Sequence, residues 1–317
     1  MHRYIIKRLL LMIPVIIGVS FLVFFIMDLA PGDAVDILAP EGATAEDLEA
    51  IRHDLGLDQP VIVRYVKYMG GMLHGDMGVS YVSKTDVFDT YMEKLPATIK
   101  LSFASILVSI LLSVPLGIYS ATRQGTVQDN ISMIVAMIGL SMPNFWLGLL
   151  LIIVFSLNLG WLPSGGDQTL SSIVLPAITI GTGLMATLTR TTRSSMLDVL
   201  KQEYLRTARA KGIPEKIVIT SHALRNALIP IITIIGTQLA GVLGGSVLTE
   251  TVFAWPGVGR LIVDSLNMRD TPLVTGSIIM TTILLSIILL LVDLLYAVVD
   301  PRIKAQYVAK RGKKRHG

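Results

Sequence analysis

The sequence predicts an all-α integral membrane protein with six transmembrane helices and a small extracytoplasmic helical segment after the first. Three observations carry this. Only 16% of the 317 residues are charged while 52% are hydrophobic, whereas about a quarter of an average soluble domain is charged. Six runs with at most one charge, an aspartate near one end, are long enough to cross a bilayer, whose hydrocarbon core needs about 20 apolar residues of helix. Lys and Arg gather in alternate connections between those runs, as cytoplasmic loops require.

The first run, Leu9 to Leu29, follows Arg3, Lys7 and Arg8. It exceeds the roughly 7–15 residues of a secretory leader's apolar core and is read as a retained helix. Residues 1–30 thus hold the N-terminus and first span, and residues 31–98 the extracytoplasmic segment. There Thr44 and Asp47 form a capping-box pattern, followed by Leu48, Ile51 and Leu55 at helical spacing. Pro60 suits the first turn of a second helix, to which Val63, Tyr65 and Val66 supply apolar contacts; a solvated loop is the alternative. The remaining spans run from Leu101 to Ala121, Ile131 to Leu157, Ile173 to Thr189, Ala227 to Leu248 and Leu273 to Val299. They form a five-helix core within residues 99–300, with a cytoplasmic loop at 190–226 and a basic tail at 301–317 whose Lys310 to Arg315 stretch rests on anionic headgroups.

Charge sets the orientation. The N-terminus, the 122–130 loop, the 190–226 loop and the tail after Asp300 hold 19 of the 27 Lys and Arg residues. The opposite side holds seven, and the five of these in residues 30–98 are outnumbered by 12 acidic residues. Both termini are therefore expected in the cytoplasm. The net charge of +4 has this topological origin, and no basic patch interleaved with aromatics points to nucleic acid. The chain has no cysteine, which excludes disulfides, thiolate metal sites and cysteine nucleophiles.

Polar and small residues interrupt the third, fourth and fifth spans. Ser141-Met142-Pro143-Asn144 lies near the middle of the third, where proline removes a donor and the amide can line a cavity. Thr179, Gly181, Thr182, Gly183 and Thr187 mark the fourth, and Thr233, Thr237 and Gln238 the fifth. Hydroxyls bonded to their own backbone and small residues admitting a neighbouring helix explain such positions equally well, and Gly236-Ala240-Gly244 is a packing row of that kind. Asn144, Trp146 and Gln238 are candidates for the translocation pathway or its gate, with interhelical hydrogen bonding as the alternative for the two amides. In the turn before the last span, Phe253 and Trp255 stand with Pro256 and Gly257, either as part of an outer gate or of a docking site for a partner protein or, for Trp255, as an interfacial anchor. Asp28 and Asp293 lie near span ends, where water or headgroups solvate them.

The 190–226 loop contains Glu203-Tyr204-Leu205-Arg206-Thr207-Ala208-Arg209-Ala210-Lys211-Gly212, a helix by propensity that stops at Gly212-Ile213-Pro214. A second short helix from Glu215 to Ala223 leads into the fifth span. The first helix either receives force from a docked partner or rests on lipid. Ala208 and Gly212 share one face, where lack of bulk lets another surface approach, with Arg206, Arg209 and Lys211 around them.

Ala208, Gly212 and Leu224 resemble in spacing the cytoplasmic signature of binding-protein-dependent ABC importer permeases. Arg206, Thr207, His222 and Arg225 depart from the general pattern and resemble the peptide/nickel subgroup instead. Also similar to that subgroup are the stretches from Met27 to Asp33, Leu95 to Thr98, Ser141 to Trp146, Phe253 to Leu261 and Val299 to Arg302. The resemblance is to the first permease of dipeptide/oligopeptide systems, a group that includes nickel and opine importers. It implies the type I ABC importer permease fold, a bacterial inner or plasma membrane location and a coupling role for Glu203, Tyr204, Arg206, Ala208, Arg209, Lys211 and Gly212. It further implies a second permease, two ATPase subunits and an extracytoplasmic solute-binding protein. No phosphate-binding loop occurs here, so ATP and magnesium are expected on the ATPases and no cofactor or metal on this chain. An intramembrane enzyme lacks its signatures: there is no His-Glu-x-x-His motif, and no histidine lies within a span. A secondary transporter lacks intramembrane charges and inverted repeats.

Overall fold

In lipid a backbone must satisfy its own hydrogen bonds, so each apolar run closes into helix and the helices continue wherever their flanks permit. The computed structural model describes residues 2–29 and 34–299. Ala30-Pro31-Gly32-Asp33, Asp300-Pro301-Arg302 and the expected headgroup contact of the basic tail lie outside them.

The elements in order are α1 (His2–Leu29), α2 (Ala34–Leu38), α3 (Ala45–Asp54), α4 (Val61–Leu73), α5 (Val87–Thr122), α6 (Val127–Ser141) and α7 (Asn144–Leu151). A π-helical stretch, Ile152–Asn158, continues α7, and a short tight turn, Leu170–Ile173, precedes α8 (Val174–Leu200). Then come α9 (Glu203–Ala210), α10 (Glu215–Ile217), a second π stretch at Val218–Ala223, α11 (Leu224–Gly245), α12 (Val247–Val252), α13 (Val258–Asn267) and α14 (Thr271–Val299). Among the described residues the one isolated β pairing joins Val79 to Asp86.

Five of the expected spans are single helices long and apolar enough to cross a bilayer. The sixth is broken: Val127–Ser141 and Asn144–Asn158 meet at 96°. Met142 (φ −97°, ψ 131°) and Pro143 (φ −58°, ψ 132°) are both extended, because the proline ring drives the residue before it out of the α region. The fourth span runs past Thr189 to Leu200, so the first part of the expected cytoplasmic loop is helix.

The segment between the first two spans is helical as its caps required. The Thr44 hydroxyl accepts the Asp47 N–H at 3.3 Å, and the Asp47 carboxylate accepts the Thr44 N–H at 2.9 Å. The Thr44 N–H and, less strongly, the Thr44 hydroxyl donate to the Asp47 carboxyl and hold it below its ordinary range. Tyr65 on α4 packs its edge on Phe21 and Phe24 of α1, with centroids 5.5 and 5.7 Å away. Val63 and Val66, expected to share that contact, are exposed on the opposite side, because Arg64, Tyr65 and Tyr68 turn toward α1.

The chain forms two compact units, Met1–Lys100 with Leu243–Ser286, and Leu101–Val242 with Ile287–Gly317. The first is cross-linked by buried carboxylates. Asp270 accepts the Tyr81 N–H at 3.1 Å and the Ser80 hydroxyl, and so ties the 80–82 loop to the start of α14. Glu250, fully buried on α12, accepts the hydroxyls of Thr98 and Ser246 at 2.9 and 2.8 Å and the Arg260 N–H at 3.0 Å. The second unit has its core at the end of the bundle that carries α9.

Candidate coupling and pathway site

α9 is short and charged, so its position depends on the two apolar side chains it turns inward. Leu205 is fully buried and Ala208 only 8% exposed. They join Ala121 of α5, Leu188 and Met196 of α8, Val218, Ala223, and Ala227 and Ile231 of α11 in one cluster. Tyr204 adds a polar tie, its hydroxyl accepting the Asn226 amide N–H at 2.9 Å. The helix ends in a Schellman motif: the Ile213 N–H bonds the Ala208 carbonyl at 3.3 Å and the Gly212 N–H that of Arg209 at 2.9 Å, with Gly212 at φ +76°. Arg209 then pairs with Glu215 across the turn, with N–O distances of 3.0 and 2.8 Å, and this contact raises the Arg209 guanidinium above its ordinary value.

This geometry corrects the small-residue docking face. Ala208 points into its own chain, where its size lets α9 lie close to α8 and α11. Gly212 is required for its left-handed backbone, with open space where a side chain would stand. Arg209 is engaged by Glu215. The face left exposed carries Glu203, Arg206, Thr207, Ala210 and Lys211.

At membrane depth, α8 is the element on which the polar residues converge. A side chain at Gly183 would stand 2.6 Å from Asn144 Oδ1, so the glycine admits the start of α7. One residue on, the Leu184 carbonyl accepts the Gln238 amide N–H from α11 at 3.0 Å, while Gln238 Oε1 is buried without a partner. Asn144 and Trp146 are exposed in this chain. The hydroxyls of Thr179, Thr182, Thr233 and Thr237 bond carbonyls one turn back, at 2.7 to 3.0 Å, within their own helices. Gly236 and Gly244 lie against Val292 and Leu285 of α14, where a side chain would stand 2.9 and 2.7 Å from them.

Phe253 and Trp255 belong to the other unit and are each 1% exposed. The Trp255 indole donates to the Ala97 carbonyl at 2.9 Å. The ring therefore sits neither at a lipid interface nor on an open surface. It fills the core that Glu250 closes, because the Ala254 backbone at φ +48° reverses the chain there.

Two groups the sequence did not single out hold these elements. Asp129, buried at the start of α6, takes a two-pronged bond from Arg193 of α8 at 2.7 and 2.6 Å, together with the Ser120 hydroxyl at 2.5 Å. The sequence signal for it was Thr126 three residues earlier, whose side chain accepts the Asp129 N–H. Glu250 was legible only as a lone acid beside a largely apolar stretch. Among the described residues, no group of three or more His, Asp or Glu is placed to hold a metal ion.

Five helices long and apolar enough to cross a bilayer, with a sixth span broken at Pro143, make this a multi-pass membrane protein rather than a single-pass anchor. Residues 113–305 match the family described as the binding-protein-dependent transport system inner membrane component, and residues 1–102 match its N-terminal companion. The oligopeptide transport system permease protein AppB of Bacillus subtilis (strain 168) is 44% identical, with 96% of this chain and all of that protein covered. The glutathione transport system permease protein GsiC of Escherichia coli (strain K12) is 42% identical, with coverage of 96% and 99%. In fold the chain is similar to one from the inward-facing MetNI methionine ABC transporter, with a TM-score of 0.56 at 18% identity over 67% of this chain and 96% of that one.

The chain belongs to the family of inner membrane components of binding-protein-dependent transport systems. It is a permease subunit of an ABC importer, not an enzyme.

Proposed function

We propose that the chain carries di- and oligopeptides or related small solutes inward as one of two paired permeases, with both termini in the cytoplasm and two ATPase subunits beneath. The full-length likeness to permeases named for oligopeptide and glutathione supports a peptide cargo. ATP and magnesium belong to the ATPases. The solute path follows the broken span. A helix interruption at membrane depth leaves backbone groups unpaired, which is tolerated only against protein or a water-filled cavity, and Asn144 and Trp146 stand exposed beside it.

The observation that carries the coupling assignment is how α9 is held. Leu205 and Ala208 fix one face to α8 and α11, and the other face stays open, so a push on α9 is delivered to two spans at once. Thr207→Trp or Ala210→Trp should abolish solute-stimulated ATP hydrolysis in the purified complex while insertion and assembly remain normal. Short peptides should stimulate the wild-type complex where nickel chelates and sugars do not. Intact coupling with tryptophan at both positions would remove α9 from this role.

A further inference from the structure

α4 is a 13-residue helix in the segment between the first two spans, and its position against α1 does not match a helix lying in water. The Tyr65 hydroxyl is bonded to the Ser20 hydroxyl at 2.9 Å and to the Ile17 carbonyl at 3.2 Å. Along α1 those residues lie about 14 and 18 Å from Leu29 at 1.5 Å per residue, roughly half the depth of a hydrocarbon core of about 30 Å. A second span gives the same indication. A side chain at Gly276 would stand 3.3 Å from the Tyr68 hydroxyl, and Gly276 is about 7 Å inside the start of α14.

The surface of α4 turned away from the protein is apolar except for Lys67. Ile62, Val66 and Leu73 form a helical stripe, 66%, 62% and 81% exposed. The groove between α4 and α1 is lined by Phe21, Phe24, Phe25, Val61, Ile62 and Tyr65, whose side chains bring a single polar atom, the bonded Tyr65 hydroxyl. The stripe is continuous with the exposed apolar face of α1, which includes Phe21, Leu22, Phe25 and Ile26. The two cations of α4 each have a polar partner. Arg64 pairs with Asp28 at the end of α1 and lies over the Phe24 ring, and Lys67 Nζ reaches back to Gln59 Oε1 at 2.7 Å, before the helix begins. That is how cations behave on a helix set into a membrane surface.

We propose that α4 is embedded in the leaflet at the Leu29 end of α1, with lipid acyl chains covering Ile62, Val66 and Leu73 and filling the α1–α4 groove. Only the naming of that leaflet as the outer one rests on the proposed orientation. A 13-residue apolar helix is too short to span and suits such an interfacial position. Embedding it would anchor the extracytoplasmic segment to the bilayer.

The chain has no cysteine, so Ile62→Cys, Val66→Cys and Leu73→Cys can each carry a nitroxide in the complex assembled with its partner subunits in lipid bilayers. Power saturation should show several-fold more collisions with oxygen than with a water-soluble nickel chelate at all three, as for Leu22→Cys on α1. Glu49→Cys on α3 should show the reverse. Dominant nickel collisions at the three positions would place α4 in water, and loss of both kinds would show protein covering it, as a second permease would; either result overturns the proposal. A reversed topology would leave these readings unchanged, so failure of the proposed orientation is separately visible.

Discussion

Glu250 shows how much a single buried side chain can organise. Its carboxylate accepts from two hydroxyls and one backbone N–H, the last at the start of α13, where the helix dipole favours negative charge. Thr98 extends the chain of bonds, donating to Glu250 and accepting the Val258 N–H at 2.8 Å. Gly257 is needed beside it, because a side chain there would stand 2.5 Å from both the carboxylate carbon and the Thr98 hydroxyl. Glu250→Gln replaces one acceptor oxygen with an N–H group that must either oppose the Arg260 N–H or turn a hydroxyl round to accept, at a cost of about 1–3 kcal/mol. Gly257→Ala forces the whole cluster apart and should be worse. Thermal inactivation of the purified complex, followed by size-exclusion chromatography, should rank wild type above Glu250→Gln above Gly257→Ala; equal stability of all three would refute the account. Proximity in sequence could not have shown this, since Thr98 and Glu250 are joined only by folding.

At the scale of elements, the coupling segment illustrates a partial match between pattern and structure. Propensity and the Gly-Ile-Pro stop placed α9 and its end correctly, because both are local. Which face turns inward is not local, and Ala208 proved to face its own bundle. The role of Gly212 is correspondingly conformational. Left-handed backbone costs a residue with a Cβ about 1–2 kcal/mol, and asparagine bears it best. Gly212→Asn should therefore retain most transport and Gly212→Val lose most of it, with equal insertion of the two measured by blotting; equal transport by both would argue against a backbone role. The broken span is a similar case. Pro143 announced an interruption of the helix, but the 96° turn between α6 and α7 depends on how each half packs against α8.

For the molecule as a whole, the alternation of charge between loops predicts sidedness. In whole cells, Glu41→Cys and Gln168→Cys should react with an impermeant thiol reagent, while Gln124→Cys and Lys211→Cys should react only after lysis. Labelling of Lys211→Cys from outside would invert the proposed topology. By itself the sequence determined the number and approximate extent of the spans, the N-terminal cap of α3, the C-terminal stop of α9 and the kinship with importer permeases. All of these depend on composition, periodicity or short contiguous motifs, which solvent and local sterics read directly. Only the tertiary structure decided that residues 243–286 pack with the N-terminal hundred, that Trp255 and Phe253 are core rather than surface, and that Arg193 serves Asp129. Those outcomes turn on contacts between residues tens to hundreds of positions apart, where several helix faces compete for the same neighbour and close packing selects among them.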